Sequence, residues 1–291
     1  MDTLIVILIG FLAGILGGLL GIGGSVVMIP ALTEALGPRP HLYQAAAMIV
    51  NFFVVAPALI QHAKVKAIIF PIVRSMAPSA GIAVLVGVWT SELDIFRGHG
   101  QATLILMFGV FLLWVAGRQV MAIWSNPIRP ENQNADQYRN GWRAALWIGA
   151  PMGFIAGLLG VGGGVICVPF QVRFLKVPLR QAIANSAATI LVLSLIGAIL
   201  KNSALVTSHH DIHLIDSLRL AGTLIPPAIV GSMLGSKLTH TLPIKILRIA
   251  LVLILLAASA RMIIISRSLS AKEAAATPST TAQSSDVPST E

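Results

Sequence analysis

Apolar residues fall into eight long stretches, at about 4–30, 42–61, 68–90, 101–122, 144–169, 183–206, 216–236 and 243–266, with short polar breaks between them. Most are close to the roughly 20 residues that a helix needs to cross a bilayer's hydrocarbon core. Helices satisfy their own backbone polar groups, which lipid requires. The pattern therefore predicts an all-α integral membrane protein of eight hydrophobic segments. The longest polar interruption, SNPIRPENQNADQYRNGWR at 125–143, reads as an exposed linker. It separates a membrane repeat at 1–124 from a second at 144–267. Residues 268–291 are mostly Ser, Thr, Ala and Pro with scattered charges, a composition that cannot bury a core. They are expected to form a disordered C-terminal tail. The opening Met-Asp-Thr carries no positive charge and leads straight into an apolar stretch longer than a signal-peptide core, so a first membrane segment is expected there.

The two halves repeat each other. Residues 10–30 and 149–169 share ten identities in 21 positions, among them Gly10/Gly149, Gly14/Gly153, Gly18/Gly157, Gly21/Gly160, Gly23/Gly162 and Pro30/Pro169. Further on, Gln44-Ala45 matches Gln181-Ala182, and Pro78 and Gly87 match Pro226 and Gly235. Duplication of a membrane bundle is characteristic of secondary transporters.

Charge bears on how the halves face. If all eight segments span, the 20 Lys and Arg divide weakly, 12 to 8, with Lys64 and Lys201 among the interfacial charges. If segments one and five instead bend back at their glycines, each half has three spans and the repeats are inverted. One side then collects 13 of the 20. The positive-inside rule favours the inverted arrangement and puts the 125–143 linker in the cytoplasm under either one. The expected location is the cell inner (plasma) membrane, crossed several times.

Composition supports this picture. The chain is 56% hydrophobic and only 11% charged, against about 25% charged in soluble domains. The net charge of +9 would point to nucleic acid in a soluble protein, but here the basic residues lie between apolar runs. No nucleic-acid partner is expected; the partners are the lipid bilayer and a small-molecule anion. The chain's lone cysteine, Cys167, sits in an apolar run and reads as a small buried hydrophobe.

The glycine motif has three readings. Gly10, Gly14 and Gly18, like Gly149, Gly153 and Gly157, recur at every fourth position, which lets a neighbouring helix approach closely. A nucleotide loop is unsupported, because no strand precedes the motif and no Walker lysine follows. The third reading concerns Gly21, Gly23 and Gly24, and Gly160, Gly162, Gly163 and Gly164. Such runs are poor helix. Unwound backbone at membrane depth is tolerated only where protein buries it or it lines a cavity. Freed N–H groups at the start of the next half-helix would make an anion site without a charged side chain. Ser25 closes the first motif.

At these residues the chain resembles the TauE/SafE family of sulfite and organosulfonate exporters. The likeness rests on Gly-x-hydrophobic-Gly-hydrophobic-Gly-Gly-Gly/Ser followed by an apolar run to Pro, written in both halves, and covers nearly everything from residue 1 to about 266. It implies a secondary transporter of a small anion, the expected substrate being sulfite or an organosulfonate, with export as the family default. Where the family carries a Thr-Ser pair in segments two and six, this chain has Met48-Ile49 and Asn185-Ser186, with Asn51 one turn from the first pair.

Asn51, Asn185 and Ser186 follow the broken segments and are the expected side-chain contacts to substrate, because a polar group in a span either bonds a neighbouring helix or faces a cavity. Pro57, Pro71, Pro78, Pro226 and Pro227 are expected to kink helices. Arg74 and Arg219, near segment ends, are expected to snorkel. His209-His210-Asp211-Ile212-His213 reads as a solvated loop rather than a metal site. No catalytic residue, metal site or cofactor is expected. The competing reading, a membrane-embedded enzyme or a non-transporting accessory subunit, would need a catalytic constellation, and the sequence supplies none.

Overall fold

The computed structural model describes residues 2–96, 100–125, 142–208, 213–241 and 243–276. The described residues form ten α-helices. The first half contains α1 (Asp2–Leu20), α2 (Ser25–Leu36), α3 (Pro40–Lys64), α4 (Phe70–Ser91) and α5 (Gln101–Ser125). The second contains α6 (Trp142–Leu159), α7 (Gly164–Phe170), α8 (Leu179–Ser208), α9 (Leu214–Thr241) and α10 (Ile244–Ala276). A short π-helical turn, Gln171–Leu175, continues α7. Seven of the described helices are long and apolar enough to cross a membrane. The all-helical membrane class is as the apolar pattern predicts. Most of the 125–143 stretch, and everything after Ala276, lies outside the described residues. Helix α10 itself runs on past 268, where the polar composition begins.

Segments one and five are each two helices. α1 ends at Leu20 and α2 begins at Ser25; α6 ends at Leu159 and α7 begins at Gly164. Between them the backbone turns through positive φ at Gly21 (60°), Gly23 (81°), Gly160 (72°), Gly162 (66°) and Gly163 (76°). Residues with a Cβ rarely adopt that conformation, and this explains why the motif must be glycine. Of the prolines expected to kink helices, Pro57, Pro78, Pro226 and Pro227 lie inside them. Pro71 does not. It occupies the first turn of α4, where a missing N–H breaks no helical bond and the fixed φ favours initiation.

The upstream glycines pack helices across the two halves. A Cβ at Gly10 would lie 2.8 Å from Leu224 O, and Cβ atoms at Gly14 and Gly18 would meet the carbonyls of Ala228 and Ser232. α1 therefore lies against α9, and the constant register shows that the two run parallel. In the other half a Cβ at Gly149 would lie 2.7 Å from Met76 O, while Gly153 and Gly157 abut Ala80 and Val84. α6 is thus parallel to α4. Each repeat places its first helix on the third long helix of its partner repeat.

Helix directions follow from these registers. α3 and α8 are antiparallel, since Lys201 Nζ meets Gln44 Oε1 while Met48 sits beside Gly197. α4 runs parallel to α8, with Asn185 against Ile69 at one end and Lys201 against Ser91 at the other. Residues 209–213, which join α8 to α9, reach less than about 22 Å even when extended, whereas α9 is about 42 Å long. α9 must then run opposite to α8. Hence α1, parallel to α9, is antiparallel to α6, parallel to α4 and so to α8. The first helices of the two repeats point in opposite directions.

Large apolar side chains that face outward, such as Leu4, Phe70, Trp89 and Trp147, suit lipid rather than water. Arg74 and Arg219 are exposed.

Candidate functional site

The two glycine breaks touch. A Cβ at Gly164 would lie 2.6 Å from Ile22 Cα and would also meet Gly21 O, so the start of α7 abuts the first break directly. Residues Gly21–Ser25 and Gly160–Gly164 are all buried. The contact lies beside Asn51 and Ile190, near the middles of α3 and α8.

Asn51 occupies the gap between the breaks. A Cβ at Gly23 would lie 3.1 Å from Asn51 Oδ1, and one at Gly162 would lie 3.1 Å from Asn51 Nδ2. The Ser25 N–H donates to Asn51 Oδ1 at 3.2 Å, and Asn51 Nδ2 donates to Ser25 Oγ at 2.9 Å. The amide thereby caps the start of α2 from a neighbouring helix, since the residue before α2, Gly24, has no side chain to do so. Helical backbone bonding restarts only at Val27 and Met28, which both donate to Gly24 O.

The other two expected contacts divide. Ser186 Oγ donates to Gly21 O at 2.8 Å, so it belongs to the first break although it comes from the second repeat. Asn185 turns away. Its Oδ1 accepts the Ile69 N–H at 2.7 Å and its Nδ2 donates to Gln171 Oε1 at 2.9 Å. Gln171 Nε2 in turn donates to Cys167 Sγ at 2.9 Å. Asn185 thus ties the start of α4 to the end of α7, beside the breaks rather than between them. Cys167 is fully buried, as its apolar setting predicts. Of the His209–His213 stretch, only His213 is among the described residues, and it is exposed.

The backbone of the site is two-fold, but its side chains are not. With Gln44 matched to Gln181, Asn51 corresponds to Ala188, and Asn185-Ser186 to Met48-Ile49. One repeat supplies the bridging amide and the other supplies the hydroxyl.

One buried group escaped the sequence reading. Lys201 counts there as an interfacial charge, yet its side chain is only 2% exposed. Its Nζ donates to Gln44 Oε1 and Ser91 Oγ, both at 2.6 Å. The available signal was position. Lys201 stands within an otherwise uncharged helical stretch, 183–206, and an ionisable residue inside a span is a functional candidate by default.

A family profile described as "Sulfite exporter TauE/SafE" matches residues 6–281. The chain belongs to the TauE/SafE family. It is a multi-pass membrane protein of a transporter family, not of an enzyme family. Among the chain's relatives, the probable membrane transporter protein MamO of Magnetospirillum gryphiswaldense is 26% identical over 266 residues, which cover 81% of this chain and 41% of that protein. This chain therefore spans about two fifths of MamO's length. The probable membrane transporter protein YunE of Bacillus subtilis is 24% identical over 277 residues, covering 87% of this chain and 96% of YunE. A probable membrane transporter protein of Methanocaldococcus jannaschii is 28% identical over 253 residues, 85% of this chain and 90% of that one. No solved structure matches the chain.

Proposed function

We propose that this protein is a secondary transporter that carries a small anion, sulfite or an organosulfonate, out of the cell across the inner membrane. The anion is held where the two glycine breaks meet, contacted by Gly21, Gly23, Gly24 and Ser25 from one repeat and Gly160, Gly162, Gly163 and Gly164 from the other. The observation that carries this reading is the abutment of the breaks, with Asn51 hydrogen-bonded to Ser25 and packed beside both Gly23 and Gly162.

The chemistry follows from that arrangement. Backbone N–H groups at a helix start attract anions, and the helix dipole adds to the attraction. Hydrogen bonds to a charged acceptor contribute about 1.5–3 kcal/mol each, so a few offset much of the cost of stripping water from the anion. Glycine lets the ligand reach the main chain. Asn51 can donate through Nδ2, and Ser186 through its hydroxyl, once either leaves its present acceptor. Asn185 supports the site from behind by fixing Gln171 and Ile69. Inverted repeats and broken helices that meet near the midplane are the usual ground plan for alternating access. The positive-inside rule places the linker, and the α3–α4 connection with Lys64 and Lys66, in the cytoplasm.

Uptake of radiolabelled sulfite, sulfonates and sulfate into proteoliposomes tests this. Gly23→Leu and Gly162→Leu should abolish the flux seen for the unaltered protein. Undiminished flux in both variants would refute the glycine site, and no flux of any anion by the unaltered protein would refute anion transport.

A further inference from the structure

Lys201 has a counterpart. The offset that matches Gln44 to Gln181 also matches Lys64 to Lys201, and the offset that matches Pro78 and Gly87 to Pro226 and Gly235 matches Ser91 to Thr239. The packing supports these offsets, because Gly87 faces Phe154 and Leu158 just as Gly235 faces Ile15 and Leu19. Each end of the bundle thus has a lysine, a glutamine and a hydroxyl in equivalent places. Lys201, Gln44 and Ser91 lie at the end away from the linker, and Lys64, Gln181 and Thr239 at the linker end.

The two sets are in different states. At the first, Lys201 is buried and pins α8 to both α3 and α4 through its two bonds at 2.6 Å. Ser91 Oγ, while accepting from Lys201, donates to Val88 O. At the second set nothing is joined. Lys64 is exposed, Gln181 Oε1 is buried with no hydrogen-bond partner among the described residues, and Thr239 Oγ1 donates to Leu19 O at 2.7 Å instead. A buried amide oxygen left unsatisfied costs free energy unless another state of the molecule satisfies it.

We infer that the two Lys–Gln–hydroxyl sets are the paired gates of the transport cycle, each lysine exchanging its glutamine and hydroxyl for a small oxyanion when its gate opens. In this structure the Lys201 gate is shut and the Lys64 gate is open. An ammonium group whose hydrogen-bond acceptors are neutral can exchange them for an oxyanion, because charge-assisted bonds to the anion are the stronger. Inverted repeats exchange conformations between states, so closing Lys64 onto Gln181 and Thr239 is the mirror image of opening Lys201. The identity of the ligand rests on the anion-transport reading, but the existence of the gates does not.

Hydrogen exchange on the full chain in nanodiscs tests both parts. Without added anion, Lys201→Gln and Ser91→Ala should each speed exchange at residues 43–50 and 88–93 by about tenfold, the scale of one lost hydrogen bond to a charged group. Lys64→Gln, at an exposed position, should leave those amides unchanged. By binding the open Lys64, sodium sulfite or methanesulfonate should slow exchange at 43–50 and speed it at 181–187, and Lys64→Gln should abolish both changes. Unchanged exchange in both Lys201→Gln and Ser91→Ala overturns the gates, as does an anion that moves both mouths in the same direction. A response to variants with none to either anion removes the oxyanion from the lysines. Flux measured on the unaltered protein decides separately whether an anion is carried at all.

Discussion

Asn51 and Ser25 hold each other by two hydrogen bonds, one from the Ser25 N–H to the amide oxygen at 3.2 Å and one from the amide nitrogen to the Ser25 hydroxyl at 2.9 Å. Asn51→Asp keeps the shape and both bonds, because a carboxylate accepts from the N–H and the serine hydroxyl can turn to donate. It also places a negative charge between the two breaks. The expected outcome is a protein of near-normal stability whose anion flux falls by at least about tenfold, the effect of a like charge worth roughly 1.4 kcal/mol. Asn51→Leu should instead destabilise by about 1–3 kcal/mol through the unsatisfied groups of Ser25. Thermal unfolding in detergent and proteoliposome flux, measured on the same samples, separate the two effects.

The packing glycines differ sharply from the free ones. Gly14→Ala and Gly153→Ala drive a methyl into the backbone of Ala228 and Ala80. Each should cost about 1–3 kcal/mol, as overpacking does. Gly117→Ala and Gly222→Ala meet nothing within 4 Å, and both lie in helices. They should be neutral or stabilising by up to about 1 kcal/mol. Unfolding midpoints of the four variants check the contrast, and equal effects across all four would contradict the packing between α1 and α9 and between α6 and α4.

Inversion of the repeats has a direct readout. Ala35 ends the first broken segment and Arg173 ends the second, and both are exposed. Cysteines at 35 and 173 should react with a membrane-impermeant maleimide from opposite faces of sealed vesicles. Labelling from one face alone would require the repeats to be parallel.

The native thiol supplies a further check. Cys167 is fully buried and its sulfur accepts a hydrogen bond from Gln171 at 2.9 Å. Hydrophilic maleimides should leave the folded native protein unlabelled and react fully after denaturation in dodecyl sulfate. Gln171→Leu removes a partner from Asn185 as well as from Cys167, and should destabilise by about 1–3 kcal/mol.

Much of the architecture was legible before any coordinates. The apolar stretches match most helix bounds to within about six residues, since about 20 apolar residues in a row admit few other structures in lipid, although α10 runs to Ala276, well past the stretch that ends at 266. The four-residue glycine spacing marks the packing faces of α1 and α6, and the denser glycines mark the breaks, where positive φ at Gly21, Gly23, Gly160, Gly162 and Gly163 disfavours residues with a Cβ. The site was legible only in part. Ser186 and Asn51 do border the breaks, but Asn185 bonds Ile69 and Gln171, and no periodicity indicates which of two adjacent polar residues faces inward. The apolar pattern makes Pro71 a kink, because hydrophobicity locates a helix start only to within a residue or two and Pro71 falls in the first turn of α4.

By itself, then, the sequence determined what each segment is: its length, its packing face, where its helix must stop, and that the whole was written twice. These are local properties, fixed by steric limits on the backbone and by hydrophobic length. Only the tertiary structure decided what each face meets. It set α1 on α9 and α6 on α4, ran the repeats in opposite directions, placed Asn51 between two breaks far apart in the chain, and buried Lys201 against Gln44 and Ser91. A charge inside a span is tolerable only where other helices bring acceptors to it. For Lys201 those acceptors come from residues more than 100 positions away, on α3 and α4.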